Sequence, residues 1–444
     1  MGKHDGARAG TDTSTPAVVL KLDPNVMHHG GLGVIRSLGR LGVPVYGVHE
    51  GRLAPAASSR YLRGRYYWTP RQGADDAERV RAGLLTLADR IGRPAVLLPT
   101  DDAGAIFLAE HGADLRAHFI FPDQPAELPR QVAGKFSLYQ LCRDLGIPAP
   151  EAAVPETPAA ARDFAAVAGY PLIAKLTSPW RAEGLPSTSI LASQDELEEL
   201  FLAASARAWG GAGLMLQEFI PGGIDQDWFF HGYCDAESTC RPAFTGVKER
   251  SYPAHAGLTS LGRCEPNAVL SDQVTALLGK LGYRGILDLD LRLDRRDGEY
   301  KLLDFNPRLG AQFRLFRTTA GVDVATAAYL DLTGAAIPEG EPVAGRRFVV
   351  ENYDPLGALG YWRRGELGLR AWAASLRGID ETAWFAADDL APFGLMCLRM
   401  GGRLISRPIS RYTTSRKQMS TRTVQTRGAT PRTPQQTKQE EASS

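Results

Sequence analysis

In the run KLLDFNPRLG, residues 301–310, Asp304 and Asn306 fall on alternate positions of an otherwise apolar strand. Just upstream, in GILDLDLRLDRRDGEYK, residues Asp288, Asp290, Arg292 and Asp294 share one face, and Leu287, Leu289, Leu291 and Leu293 share the other. The segment RRDGE between the two runs reads as a hairpin turn. A two-residue Asp297-Gly298 turn would set Asp290 against Phe305. A three-residue Arg296–Gly298 turn, with Gly298 left-handed, sets Asp290 against Asp304 and Asp288 against Asn306. It also places Leu303 and Phe305 with the leucines, and a one-residue slip would spoil both faces. The three-residue turn is therefore expected. Opposed side chains lie about 5 Å apart at Cβ, where like charges repel. A divalent cation removes that objection, and carboxylate and amide oxygens suit Mg²⁺, which also takes water and phosphate oxygens. The other reading is a solvated face neutralised by Arg292, Lys301 and Arg308.

Basic residues stand at comparable points elsewhere. Lys175 interrupts the apolar strand YPLIAKL, where an unpaired charge is costly. Lys135 opens the helix GKFSLYQLCRDLGIPAP, which a Gly-x-Pro-x-Pro sequence stops. The strand LMLQEFIPGG ends in Gln217 and Glu218 before a Pro-Gly-Gly turn. Lys248 and Arg250 lie in GVKERSYPAHAG, after a strand and before a proline turn. A structural ion pair for Lys175 and surface charge for the others are the plain alternatives.

The elements that must position these groups follow from pattern. AVVLKLD is a strand, PNVMHHGGLG a loop, VIRSLGRLG a helix ending at Gly42, and VPVYGVHE a second strand. That order implies a parallel βαβ unit. PAVLLPT is read as the third strand, followed by the helix DDAGAIFLAEHGADL. Ligands gather at the carboxyl ends of such strands, so the His28–Gly33 loop and Thr100, Asp101 and Asp102 fall on the functional edge. The glycine loop lacks the third glycine of a dinucleotide fingerprint, and adjacent His28 and His29 would diverge. FVVENYD is a strand of the 345–410 region, which also carries two amphipathic helices. DDLAPFGLMCLRMGGRLISR there offers an apolar stretch with basic flanks, for packing on the core or docking on a membrane or subunit.

Bulk composition narrows the function classes. The chain has 444 residues, with 51 basic and 50 acidic side chains, so no basic field argues for nucleic acid. Five scattered cysteines form no zinc or disulfide framework. No apolar stretch approaches the roughly 20 residues of a spanning helix, and residues 1–16 lack a leader's apolar region. A soluble cytoplasmic protein is expected. Residues 1–16 and 411–444 lack hydrophobic periodicity and are expected to be disordered.

Taken in order, these segments resemble the ATP-grasp superfamily of carboxylate–amine ligases, over about residues 17–335. The resemblance implies an α/β chain: a Rossmann-like pre-ATP-grasp domain (17–123), an ATP-grasp domain (124–335) and a small C-terminal α/β segment (336–410). The middle domain would hold a lid at about 148–216 and an antiparallel-sheet subdomain. Lys135 looks like the first nucleotide-binding lysine and Lys175 like the second. Gln217, Glu218, Phe219 and Ile220 resemble the strand that holds adenine, with Asp225 on the ribose. Asp304 follows Asp290 by fourteen positions, and DFNPR resembles the family's Glu-x-Asn-Pro-Arg motif. The match implies Asp290, Asp304 and Asn306 as magnesium ligands and Arg308 as a phosphate contact. Asp304 replaces the usual Glu, and the loop SPWRAEGLPSTS lacks the common glycine-serine phosphate cover.

The expected chemistry is amide formation from a small-molecule carboxylate and amine through an acylphosphate, using ATP and Mg²⁺. Lys248 and Arg308 would offset charge as phosphate shifts. Arg314 and Arg317, in GAQFRLFR, would clamp a substrate carboxylate, unless they are plain helix charge. Asp101 and Asp102 are further substrate candidates. Amino-acid and small-peptide ligases, D-aspartate ligases included, are the expected kind, and a homodimer is compatible with the pattern. Two rivals are a non-catalytic ATP-binding assembly protein of the same fold and a nicotinamide oxidoreductase. The latter leaves the acidic hairpin and both lysines unexplained.

Overall fold

Short apolar runs without alternation make strands buried on both faces, and all of the first sheet but one edge strand is built from them. The computed structural model describes residues 12–68, 76–176, 188–207, 214–223, 225–255 and 257–406. In it β1 (Ala17–Leu20), β2 (Val45–His49), β3 (Leu62–Tyr67), β4 (Ala95–Pro99) and β5 (Phe119–Ile120) run parallel in the order β3-β2-β1-β4-β5. Helices α1 (Gly30–Leu41), α2 (Asp76–Ile91) and α3 (Asp102–His111) cover both faces. Ala17 and Val19 share a core with α1, whereas Val18 and Leu20 share one with α2 and α3. Two readings change here. LRGRYY is an additional strand, so PAVLLPT supplies the fourth; and Gly30–Gly33 form the first turn of α1 rather than a loop.

Beyond α4 (Leu128–Ala133) and α5 (Lys135–Leu145) comes a smaller antiparallel sheet. It contains β6 (Ala152–Ala153), β7 (Leu172–Leu176), β8 (Thr188–Leu191) and β9 (Leu214–Glu218), in the order β6-β9-β7-β8. Leu172 and Ala174 pack on α6 (Pro158–Ala168) and α7 (Gln194–Arg207). Strand alternation sends Ile173 and Lys175 to the opposite face, which lines a cavity. Residues 177–187 of the loop after Lys175 lie outside the described residues, as do 1–11 and 407–444, which include most of the tails expected to be disordered.

The third sheet holds β10 (Asp227–Cys234), β11 (Cys240–Tyr252), β12 (Leu258–Cys264), β13 (Gly285–Asp294), β14 (Glu299–Asn306), β15 (Arg347–Val349) and β16 (Glu381–Thr382), ordered β14-β13-β10-β11-β12-β15-β16. Its leucine face, Leu287, Leu289 and Leu291, buries against α8 (Ala268–Leu281), and α9 (Val324–Leu332) joins the core that contains α1. The region read as an accessory segment extends this sheet through β15 and β16. It carries three helices rather than two: α10 (Asp354–Arg363), α11 (Leu369–Ser375) and α12 (Ala391–Ser406). The chain through Met400 forms one compact unit; a second, from Gly401, is described only to residue 406, as helix.

The hairpin reaches the expected acid pairing by an unexpected route. Asp294 pairs with Glu299, so the turn has four residues, Arg295–Gly298, rather than three. Gly298 adopts the left-handed conformation at φ 79°, and its N–H donates to the Asp294 carbonyl at 2.7 Å. The register then shifts between Asp290 and Leu291, with Leu303 as the extra residue. Beyond the shift Asp290 faces Asp304 and Asp288 faces Asn306. Because of the bulge, Leu302 and Phe305 enter the core, and Leu303 turns with Asp304 toward the cavity. Leu303 is therefore not a core residue, contrary to the simple alternation.

Candidate functional site

The hairpin's acidic face and the polar face of the small sheet enclose a cavity of about 540 Å³. Lys135, Lys175, Gln217, Glu218, Phe219, Ile220, Lys248, Asp290 and Asp304 all line it. Lys175 Nζ donates to Gln217 Oε1 at 2.7 Å. Burial, and then the nearby Lys135 ammonium, bring the Lys175 pKa down to about 8. Lys135 Nζ lies 3.6 Å from Asp304 Oδ2, and Lys248 Nζ lies 3.4 Å from Asp290 Oδ1. Burial works against charge on Lys248, but the carboxylates of Asp290 and Asp227 outweigh it and the net shift is upward. Burial raises the Asp290 pKa, with Asp288 and Asp304 adding to the rise and Lys248 opposing it. Glu218 is held at the margin by Arg296, at 2.6 Å.

A second cavity of about 250 Å³ shares Lys248, Asp290 and Asp304 with the first and continues past Asp288, Asn306 and Arg308 to His28. Arg308 is the organising group. It donates to Asp288 Oδ2 at 3.1 Å and to Asn306 Oδ1 at 2.8 Å, and its Nε lies 3.2 Å from Asp102 Oδ1. Burial pushes Asp288 upward, but His231, whose Nε2 is 3.0 Å from Oδ1, and Arg308 hold it below the usual carboxylate range. Gly310 permits this packing: a Cβ there would stand 2.1 Å from His231 Cε1 and 2.6 Å from Asp288 Cγ. Burial holds His28 well below its ordinary pKa, so the ring is neutral near pH 7, and its Nδ1 has no hydrogen-bond partner among the described residues.

Several expected site residues lie elsewhere. Asp225, at φ 71°, uses its backbone carbonyl to accept from Trp228 Nε1 and does not line the cavity. Asp227 does, bound to Arg292 at 2.6 Å. Asp101 caps α3, accepting from the N–H groups of Gly104, Leu22 and Asp23, so its oxygens are committed to backbone. Arg250 turns away from Lys248 to a buried pairing with Asp354 at 2.8 and 3.1 Å. Arg314 and Arg317 face a separate cavity. Residue patterns put the His28–Gly33 loop on the functional edge, and His28 does line the second cavity. They did not single out His231, a cavity role for Leu303 or Asp288 as the anchor of Arg308. A signal existed for His231, a lone polar residue in the apolar run WFFHGYC, cross-strand from Asp288.

The hairpin's donors fit a hard cation. Two carboxylates are directly opposed, beside an amide oxygen that serves Arg308. Among the described residues, no group of three or more His, Cys, Asp or Glu side chains forms a self-sufficient metal cluster. A cation here would complete its shell with water and phosphate oxygens, as Mg²⁺ commonly does.

No protein-family model matches the chain. Among solved structures, the biotin carboxylase domain of Hydrogenobacter thermophilus 2-oxoglutarate carboxylase, in complex with MgADP, ADP and bicarbonate, superposes with a TM-score of 0.52 at 16% identity, covering 74% of this chain and 72% of that one. The ADP complex of PurK, an N5-carboxyaminoimidazole ribonucleotide synthetase, gives 0.53 at 12% identity, covering 76% and 80%. The chain shares the fold of these two enzymes. Among curated proteins, the chain is 26% identical over 246 residues to a D-aspartate ligase of Enterococcus faecium, covering 52% of this chain and 56% of the relative. It is 30% identical over 190 residues to the carbamoyl phosphate synthase large chain of Deinococcus radiodurans, covering 41% of this chain and 18% of the relative. The chain thus spans about half the length of the first relative and less than a fifth of the second. Among its described residues no helix is long and apolar enough to cross a membrane.

Proposed function

We propose that the chain is an ATP-dependent carboxylate–amine ligase, with Mg-ATP bound between the small sheet and the acidic hairpin. The observation that carries this reading is the junction of the two cavities at Lys248, Asp290 and Asp304. A nucleotide in the larger space can thereby present its terminal phosphate to an acceptor in the smaller one. A carboxylate oxygen of the acceptor attacks the γ-phosphorus and ADP leaves. An amine then attacks the acyl carbon, inorganic phosphate departs, and the amine loses a proton as the amide forms. Lys135, Lys175 and Lys248 offset phosphate charge, and Arg308 does so on the acceptor side. Gln217 to Ile220 and Leu303 offer the strand edge and apolar wall for the base. Magnesium, held by Asp290 and Asp304 with Asn306, would neutralise the triphosphate and align its terminal group.

In this reading residues 148–216 act as the lid of an ATP-grasp domain spanning 124–335, preceded by the domain at 17–123 and followed by the segment at 336–410. The likeness to a D-aspartate ligase favours an amino acid as one substrate and a small peptide or amino acid as the other, in the cytoplasm. The direct test is a screen of carboxylates against amines for phosphate release, followed by product mass. A product mass equal to acid plus amine less water is expected. Tight ATP binding with no turnover across a broad panel would instead mark a non-catalytic ATP-binding protein.

A further inference from the structure

The arginines expected at the substrate lie in a third cavity, of about 180 Å³, that has no lining residue in common with the other two among the described residues. Three distant stretches of chain meet there: the end of α1 with Ser37 and Arg40, the segment after the hairpin with Arg314 and Arg317, and the C-terminal region with Arg346 and Glu381. Asp323 and Asp388 complete its charged lining.

The carboxylates are already committed. Glu381 lies 2.5 Å from Arg314 Nη2 and 4.0 Å from Arg346 Nη2. Asp388 accepts from Arg40 Nε and Nη2, each at 2.8 Å, and from the Tyr61 hydroxyl at 2.6 Å. Asp323 accepts from the Ser37 hydroxyl and caps α9 through the Thr326 N–H. Four guanidinium groups therefore face three occupied carboxylates. Arg317 has no ion-pair partner among the described residues. Arg314 is only 7% exposed, and its Nη1 has no hydrogen-bond partner there. A buried donor left without an acceptor is costly, and native structures seldom tolerate one without water or a ligand to satisfy it. The space is about six times the ~30 Å³ that one water occupies in the liquid, so it admits more than a single solvent molecule.

We propose that this cavity is a second ligand site, taking a small oxyanion (a phosphate group or a compact carboxylate) on Arg314 and Arg317, with Arg346 beside them. Guanidinium forks match both oxyanions in geometry, and the excess positive charge selects an anion. The inference is independent of the ligase reading.

Calorimetric titrations of the full chain with inorganic phosphate and, separately, with malonate test it and distinguish the two sources. At least one should bind saturably, and the tighter of the two names the class. Arg317→Gln should weaken that binding by about tenfold or more, the effect of losing a charged hydrogen bond, with Arg317→Lys intermediate. Lys175→Ala should leave it within about twofold, and ADP should bind Arg317→Gln as it binds the parent. If Arg317→Gln fails to give the parental unfolding transition, Arg317→Lys carries the test. Binding of neither anion, or binding lost in Lys175→Ala and kept in the Arg317 variants, would overturn the proposal.

Discussion

At Lys175 the ammonium is within reach of ordinary pH, because burial and Lys135 bring its pKa to about 8. Nucleotide phosphates favour the charged form, so ATP affinity should fall as pH rises through about 8. Calorimetry between pH 6.5 and 9.5 checks this, and Lys175→Arg, which stays charged throughout, should flatten the profile. The same depression sets the sign of a stability effect. The folded pKa lies below the ordinary value of 10.5, so the unfolded chain binds more protons between about 8 and 10.5. The Lys175 contribution therefore makes stability rise with pH in that window, and the cost of charging the buried amine is fully present below it. At Asp304, replacement by Asn keeps the shape and removes the charge that faces Asp290. A loss of about 10²–10³-fold in phosphate release is expected, the scale for removing one electrostatic element of a site. A magnesium titration of Asp304→Asn that matched the parent would remove Asp304 from the proposed metal ligands.

The elements show where pattern reading succeeds and where it stops. That Lys175, Asp290 and Asp304 share one cavity lining was legible because period-two alternation fixes the face of each strand. The bulge was not legible: a four-residue turn and one extra residue compensate, and both routes leave Asp290 opposite Asp304. Arg314 and Arg317 were misplaced because the chain after Arg308 passes over His231 and Asp288 at Gly310 and then turns away from the acids. The missed β3 alternates buried and exposed residues, unlike its neighbours. Adjacent leucines test the bulge. Leu302, 3% exposed and in the core, should cost about 2–5 kcal/mol when cut to Ala. Leu303→Ala should change stability little and weaken ATP binding severalfold, as urea unfolding and calorimetry would report. The reverse pattern would mean regular alternation. The Arg250–Asp354 pair fastens α10 to β11, and Asp354→Ala should destabilise by about 3–5 kcal/mol by leaving a buried guanidinium unpaired.

Across the molecule, the N-terminal sheet and the C-terminal region share one buried linkage. Arg36, fully buried on α1, donates to Asp389 Oδ2 at 3.0 Å and to the carbonyls of Trp384 and Asp389 at 2.7 and 2.9 Å. The C-terminal region is thus part of the fold's support rather than an appendage. A chain ending at Gly345 lacks β15, β16 and every one of those acceptors, so it should lose cooperative unfolding by circular dichroism. A truncated protein with the parental transition would show the region to be dispensable. The four-residue turn has the opposite character. Its bulge separates the turn from the acid pair, and Arg296 in the turn touches Glu218 at the edge of the larger cavity. A fluorescent domain spliced between Asp297 and Gly298 should leave the carboxylates in place while feeling the strand that borders the cavity proposed for ATP. That makes the turn a natural point at which to convert this protein into an optical sensor of ATP.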